Sequence, residues 1–212
     1  MRNHVVVCGL GYAGMVFLRR LQEAGVRVVV VELDAANPLI EVCRSLRIPV
    51  VVGDAQLERT LRAAGAHRAS RLLAVAPNDA VNAEIIAVAR RLVASQTRGE
   101  LRCLARISDP ELCALLRVQE ANLPANQTSS LDYFNTDEVS ARLWLDDFPI
   151  ETTAGPAHIL VDRLDDLGRW LVMHAAFAWN AERSDAAPLW VSITDADADE
   201  RIAGLLLSLI HI

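Results

Sequence analysis

"HVVVCGLGYAGMVFLRRLQEAG" (residues 4–25) passes from a short β-branched run into glycine, and then into apolar residues at helical spacing. A strand, a tight turn and a helix stopping at Gly25 are the expected product. Gly9-Leu10-Gly11-Tyr12-Ala13-Gly14 fills the turn as a complete G-x-G-x-x-G. At that spacing the first glycine permits the turn and the second leaves room for a pyrophosphate against main-chain amides. The third lets helix and strand pack closely. The helix N-terminus offers free N–H groups and partial positive charge to phosphate.

Downstream, "VRVVVVELD" (26–34) reads as a second strand, apolar throughout as in a sheet covered on both faces. Glu32 ends it, 18 residues beyond Gly14, where a carboxylate can accept hydrogen bonds from both ribose hydroxyls of an adenosine. A 2′-phosphate would meet Glu32 and Asp34, so NAD(H) or an adenine nucleotide is favoured over NADP(H). Helices near 38–46 and 57–64, a long one at 79–94 and one at 109–119 alternate with strands at 49–55, 71–77 and 101–107. That alternation specifies an α/β fold, a doubly wound parallel sheet of the Rossmann type.

Ligands of such sheets lie at the carboxyl ends of the strands. "GDA" (53–55) and "APND" (76–79) end the third and fourth strands there. Asp54 either faces the adenine side or caps the next helix, and Asp79 reads as an N-cap. The candidate contacts are Gly9, Leu10, Gly11, Tyr12, Ala13, Gly14, Glu32, Leu33, Asp54, Ala55 and Ala76. A domain of the same fold that has lost its ligand is the bland alternative.

Composition narrows the class. Of 212 residues, 52% are hydrophobic, which suits one full α/β domain and part of another. Net charge is −6, a poor match for nucleic acid or an anionic membrane. All 21 basic residues are arginine, which excludes lysine Schiff-base chemistry. Cys8, Cys43, Cys103 and Cys113 form no C-x-x-C pair and read as reduced core residues. No uncharged apolar run approaches the roughly 18–20 residues of a membrane helix, and the immediate strand leaves no room for a signal peptide. A dehydrogenase needs a proton donor near the nicotinamide. His4 lies at the opposite edge, His67 in an exposed connection, and His158, His174 and His211 in the later segment. No catalytic residue or metal ligand is expected.

"VVVCGLGYAG", "VVVVELDAAN", "IPVVVGDAQLERTLRAAGAHRASRLLAVAPNDAVNAEI" and "RCLARISDPELCALL" resemble the RCK (TrkA-N) family, the cytosolic nucleotide-sensing modules of potassium channels and transporters. The likeness runs continuously over about residues 4–120. It implies an NAD-binding or adenine-nucleotide-binding sheet regulating potassium ion transport, with ATP or ADP as alternatives to NAD(H). It also implies a cytoplasmic place at the inner face of the plasma membrane, a channel or Trk-type transporter subunit as partner, and other RCK domains in a dimer or ring. The chain departs at Tyr12, where many members carry arginine. The rival is an NAD-dependent oxidoreductase lacking its substrate domain.

The expected domains are residues 1–121, a crossover or dimerisation region at 122–148, a linker at 149–157, and a partial second Rossmann-like unit at 158–212. "DYFNTDEVSARLWLDDF" (132–148) reads as one amphipathic crossover helix with Phe134, Val139, Leu143 and Trp144 among its apolar positions. "HILVDRLDDLGRWLV" (158–172) repeats the opening pattern when the chain is slid by 154 residues. Gly14 falls on Gly168, but Gly9 falls on Arg163 and Gly11 on Asp165; with a nine-residue insertion Glu32 falls on Asp195. This copy keeps the architecture and obstructs the pyrophosphate. Asp162, Asp165 and Asp166 favour a helix N-terminus, or alternatively hold a cation such as Ca²⁺. A helix at 201–209 should follow. Trp170, Trp179 and Trp190 need partners, which suggests a fragment of a longer tandem protein, and "LSLIHI" (207–212) resembles non-native read-through.

Overall fold

The computed structural model describes residues 3–94, 100–122, 129–150, 155–182 and 188–203. Two compact units divide the chain, Met1–Asn135 and Thr136–Ile212.

The first unit alternates β1 (Val5–Cys8), α1 (Tyr12–Glu23), β2 (Val28–Glu32), α2 (Leu39–Ser45), β3 (Val50–Val52) and α3 (Glu58–Ala63). It continues with β4 (Arg71–Ala74), α4 (Asp79–Val93), β5 (Leu101–Arg106), α5 (Pro110–Ala121) and β6 (Ser129–Phe134). All six strands are parallel, in the order β3-β2-β1-β4-β5-β6. The order reverses between β1 and β4, which opens a crevice at their carboxyl ends. Alternate residues of each central strand feed opposite faces. Val6 and Cys8 pack with Ile85 and Ile86 of α4, whereas Val5 and Val7 pack with Met15 and Leu18 of α1. All four cysteines are buried and unbridged.

The structure corrects the expectation of one helix over 132–148. Residues 129–134 form the sixth strand, paired along β5, and the helix α6 spans Thr136–Asp147. In "SSLDYF" the buried positions are Ser129 and Tyr133, spaced by four, which fits one face of a strand or of a helix equally. Phe134 is therefore a strand residue, and its ring meets Phe17 of α1 edge-on at 5.7 Å.

Within the second unit, β7 (Ala157–Val161) and β8 (Leu189–Ile193) pair in parallel across α7 (Asp166–Glu182). Both strands alternate between half-buried and exposed residues, the pattern of a sheet covered on one face only. Trp179 is buried and Trp170 packs at the edge of the small core around Leu164, Val172 and Met173, but Trp190 stays 61% exposed. The chain is helical over 198–203, and the remainder of the helix expected to residue 209, like "LSLIHI", lies outside the described residues. Among the described residues no helix is long and apolar enough to cross a membrane.

His4 is fully buried, and its Nε2 donates to the Ala64 carbonyl at 3.0 Å while Nδ1 has no partner. Burial is the main cause that pushes its pKa below the usual 6.5, opposed by the Ala64 bond and reinforced by the Arg27 and Arg68 charges. His67, half-buried rather than exposed, is lowered for the same first reason. The unfolded chain therefore takes up protons first. Stability is complete above pH 6.5 and falls as pH drops below it, by at most about 1.4 kcal/mol per pH unit for each histidine. Melting temperature measured from pH 7.5 to 5 should be flat and then decline. His4→Gln, which keeps a donor to Ala64, should make that decline shallower, with His67 and His174 still contributing; an unchanged curve would remove His4 as one of its sources.

Candidate functional site

The three loop glycines do different things. Gly9 has φ +106°, and a Cβ there would lie 2.9 Å from the Ala76 nitrogen. A Cβ on Gly14 would lie 2.1 Å from the Gly9 carbonyl oxygen. The protein itself thus demands both. Gly11 is different: a Cβ there meets no atom within 4 Å. It is the N-cap residue of α1, with no side chain capping the helix. The open space and the uncapped first-turn amides coincide, the combination that suits an anion.

Glu32 binds the same loop from behind. It is 8% exposed, and its Oε2 accepts from the Leu10 N–H at 2.8 Å while Oε1 accepts from the Asp34 N–H at 2.9 Å. Asn37 Nδ2 donates to the Leu10 carbonyl at 3.1 Å. Leu10 is thereby fixed through both backbone groups, and each Glu32 oxygen keeps a further lone pair for a ligand hydroxyl.

Across the rim, Asp54 caps no helix; its Oδ1 accepts from the Gln56 N–H at 2.8 Å and closes a turn. Asp79 is not an N-cap either. Asn78 holds that position, accepting from the Val81 N–H at 3.1 Å, and the Asp79 carboxylate instead accepts from Ser108 and Asp109 amides at 2.9 and 3.0 Å. Asn82, fully buried, accepts from the Ala76 N–H at 2.8 Å and donates to the Ala76 and Arg106 carbonyls at 2.9 Å each. It ties the end of β4 to the end of β5.

Gly9, Leu10, Gly11, Glu32, Leu33, Asp54, Ala55 and Ala76 all line one cleft of about 430 Å³. Tyr12, Ala13 and Gly14 lie beside it in the first turn of α1, with Tyr12 89% exposed. Pro77 and Asn78, from the rim segment 76–79, also line it, and so do Asn37 and Gln56, which the sequence reading did not single out. Of these, Asn37 carried a legible signal, a turn-forming side chain just ahead of α2, where its Oδ1 accepts from the Leu39 N–H.

Several of these contacts recur in the second unit. A Cβ on Gly168 would lie 2.2 Å from the Arg163 carbonyl oxygen, as Gly14 does against Gly9. Asp195 Oδ2 accepts from the Leu164 N–H and Oδ1 from the Asp197 N–H, both at 2.9 Å, repeating the two bonds of Glu32. Those amides, and after them Arg201, hold its pKa below the usual carboxylate range. Where Gly11 leaves α1 open, Asp165 Oδ1 accepts from the Gly168 N–H at 3.0 Å. A side-chain anion fills the helix end. Asp162 is engaged by Thr194 Oγ1 at 3.0 Å, and among the described residues no group of three or more His, Cys, Asp or Glu is placed to hold a metal.

Comparison with known proteins gives a consistent picture. A family model described as the TrkA-N domain matches residues 5–126. An uncharacterized protein of Methanothermus fervidus is 29% identical over 122 residues, 58% of this chain and 18% of that protein. The chloroplastic K(+) efflux antiporter 1 of Arabidopsis thaliana is 34% identical over 69 residues, 32% of this chain and 6% of the antiporter. The chain thus spans a small part of the length of either relative. The crystal structure of GsuK bound to ADP superposes with a TM-score of 0.54 over 90% of this chain and 43% of that one, at 18% identity, a likeness of fold.

Proposed function

Since the chain belongs to the TrkA-N domain family through residues 5–126, we propose that its first unit is a regulatory, non-catalytic module that binds NAD(H) or an adenine nucleotide. The observation that carries this reading is the empty volume at Gly11, facing uncapped amides of α1 and adjoining a buried carboxylate. The phosphates rest on the amides of Gly11, Tyr12 and Ala13, with Gly9 and Gly14 shaping the loop. The ribose hydroxyls donate to the free lone pairs of Glu32, while Leu10, Leu33, Asp54, Ala55 and Ala76 bound the adenosine and diphosphate. The Glu32 and Asp34 carboxylates oppose a 2′-phosphate.

The bound nucleotide regulates a potassium channel or Trk-type transporter on whose cytoplasmic side the module sits, with other RCK domains as neighbours in a dimer or ring. The match to a K(+) efflux antiporter supports that setting. Regulation requires the nucleotide to favour one arrangement of the assembly over another. Of the expected crossover region 122–148, β6 completes the first sheet and α6 acts as the crossover helix, with 149–157 as a linker and 158–212 as part of a second, degenerate unit; the matching carboxylate bonds of Glu32 and Asp195 support that duplication.

Calorimetric titration with NAD, NADH, ADP and ATP should show saturable binding to one site, and absence of heat with all four would end the nucleotide reading. Glu32→Arg should weaken NADH about tenfold or more, because it removes the ribose acceptor and unpins Leu10. Unchanged affinity would place the ribose elsewhere. Turnover of a carbonyl substrate with NADH would favour the oxidoreductase instead.

A further inference from the structure

The cleft has an electrostatic gap. Its lining carries the carboxylates of Glu32, Asp34 and Asp54 and no arginine or histidine. Tyr12 brings no charge to the helix end. A helix N-terminus offers about half a positive charge, enough for one phosphate but a weak match for two.

The strand register locates a cation. Cys8 pairs with Ala74 and Ala74 with Ala105, so Gly9, Val75 and Arg106 continue as one row across β1, β4 and β5. In that row Arg106 also lies on the α1 side of the sheet. Leu104, two residues earlier, packs in the α1-side core with Val7 and Leu73, and Phe134, paired with Arg106, touches Phe17 of α1. Residues two apart on a strand share a face. The Arg106 Cα is then about 10 Å from Gly9, two inter-strand spacings, with α1 and its open end on the same face. The guanidinium is tethered lightly: one terminal nitrogen donates to the carbonyl of Pro77, a cleft residue, at 3.4 Å, and the buried Nε has no partner. Asp79, an acid on that rim, is turned to the Ser108 and Asp109 amides.

Direction completes the placement. With adenosine over β2 and β3 and the first phosphate at Gly11 over β1, whatever is bonded to that phosphate continues over β4 and β5. We propose that Arg106 binds the second phosphate of the nucleotide and so makes the site selective for diphosphate-bearing ligands over a monophosphate. This deepens the proposed nucleotide function and rests on it. The arginine leaves Pro77 and presents two N–H groups to the phosphate, which guanidinium geometry favours.

AMP and ADP, titrated calorimetrically into the full chain, separate the possibilities. Wild type should bind ADP about tenfold more tightly than AMP, the order expected of one charge-assisted contact. Arg106→Gln should bring ADP down to the AMP level and leave AMP unchanged, and Arg106→Lys should restore part of the ADP preference with the melting temperature of wild type. Equal loss of both ligands in Arg106→Gln and Arg106→Lys would show that Arg106 only braces Pro77, and overturn the proposal. So would an undiminished ADP preference in Arg106→Gln, or a wild type that binds AMP and ADP alike. A wild type binding neither would instead bring down the nucleotide reading, and this inference with it.

Discussion

Gly11→Val should abolish nucleotide binding, by about a hundredfold or more, and leave the melting temperature within a degree or two. No other position in the loop should separate the two effects. A Cβ at Gly11 meets no protein atom, so the fold has no stake in the residue beyond its modest N-cap preference. The branched side chain instead occupies the volume in front of the α1 amides, and a phosphate cannot approach them to hydrogen-bond distance. Each lost charge-assisted bond accounts for about 1.5–3 kcal/mol, and at least two go together. Titration with ADP and NADH, beside a thermal melt of the same sample, reads both quantities. Retained affinity would mean that the ligand does not lie on this loop.

Gly14→Ala should do the opposite, lowering stability by about 3 kcal/mol or more whether or not a ligand is present. Its Cβ would sit 2.1 Å from the Gly9 carbonyl oxygen, a contact relieved only by moving the helix off the strand. Gly168→Ala meets the Arg163 carbonyl oxygen at 2.2 Å and should destabilise the second unit similarly. Denaturant unfolding of the three proteins checks this. A Gly14→Ala protein as stable as wild type would show that helix and strand do not pack as closely as described.

The repeating strand, turn and helix were legible because each has a period that a window of sequence displays, whereas the order β3-β2-β1-β4-β5-β6 is set by which strands pair in the folded sheet. Residues 129–134 were misread because six residues are too few to distinguish the two periods; pairing with β5 decided the matter. Asn78 and Asp79 are both good caps, and which of them caps α4 depends on the Ser108 and Asp109 amides, brought there by a strand some thirty residues away. Glu32 was placeable from its spacing, but its bond to Leu10 was not, because that needs two strands side by side. Arg106 was invisible for the same reason: its value arises from a row across three strands.

The Asp165 carboxylate at the head of α7 has a metabolic consequence. A tethered group competes at an effective concentration that small metabolites in a cell do not approach. That helix end is consequently occupied at all times, whereas under the proposed function the glycine-lined end of α1 would fill and empty with the supply of nucleotide. On that reading one helix end is a constant and the other the variable.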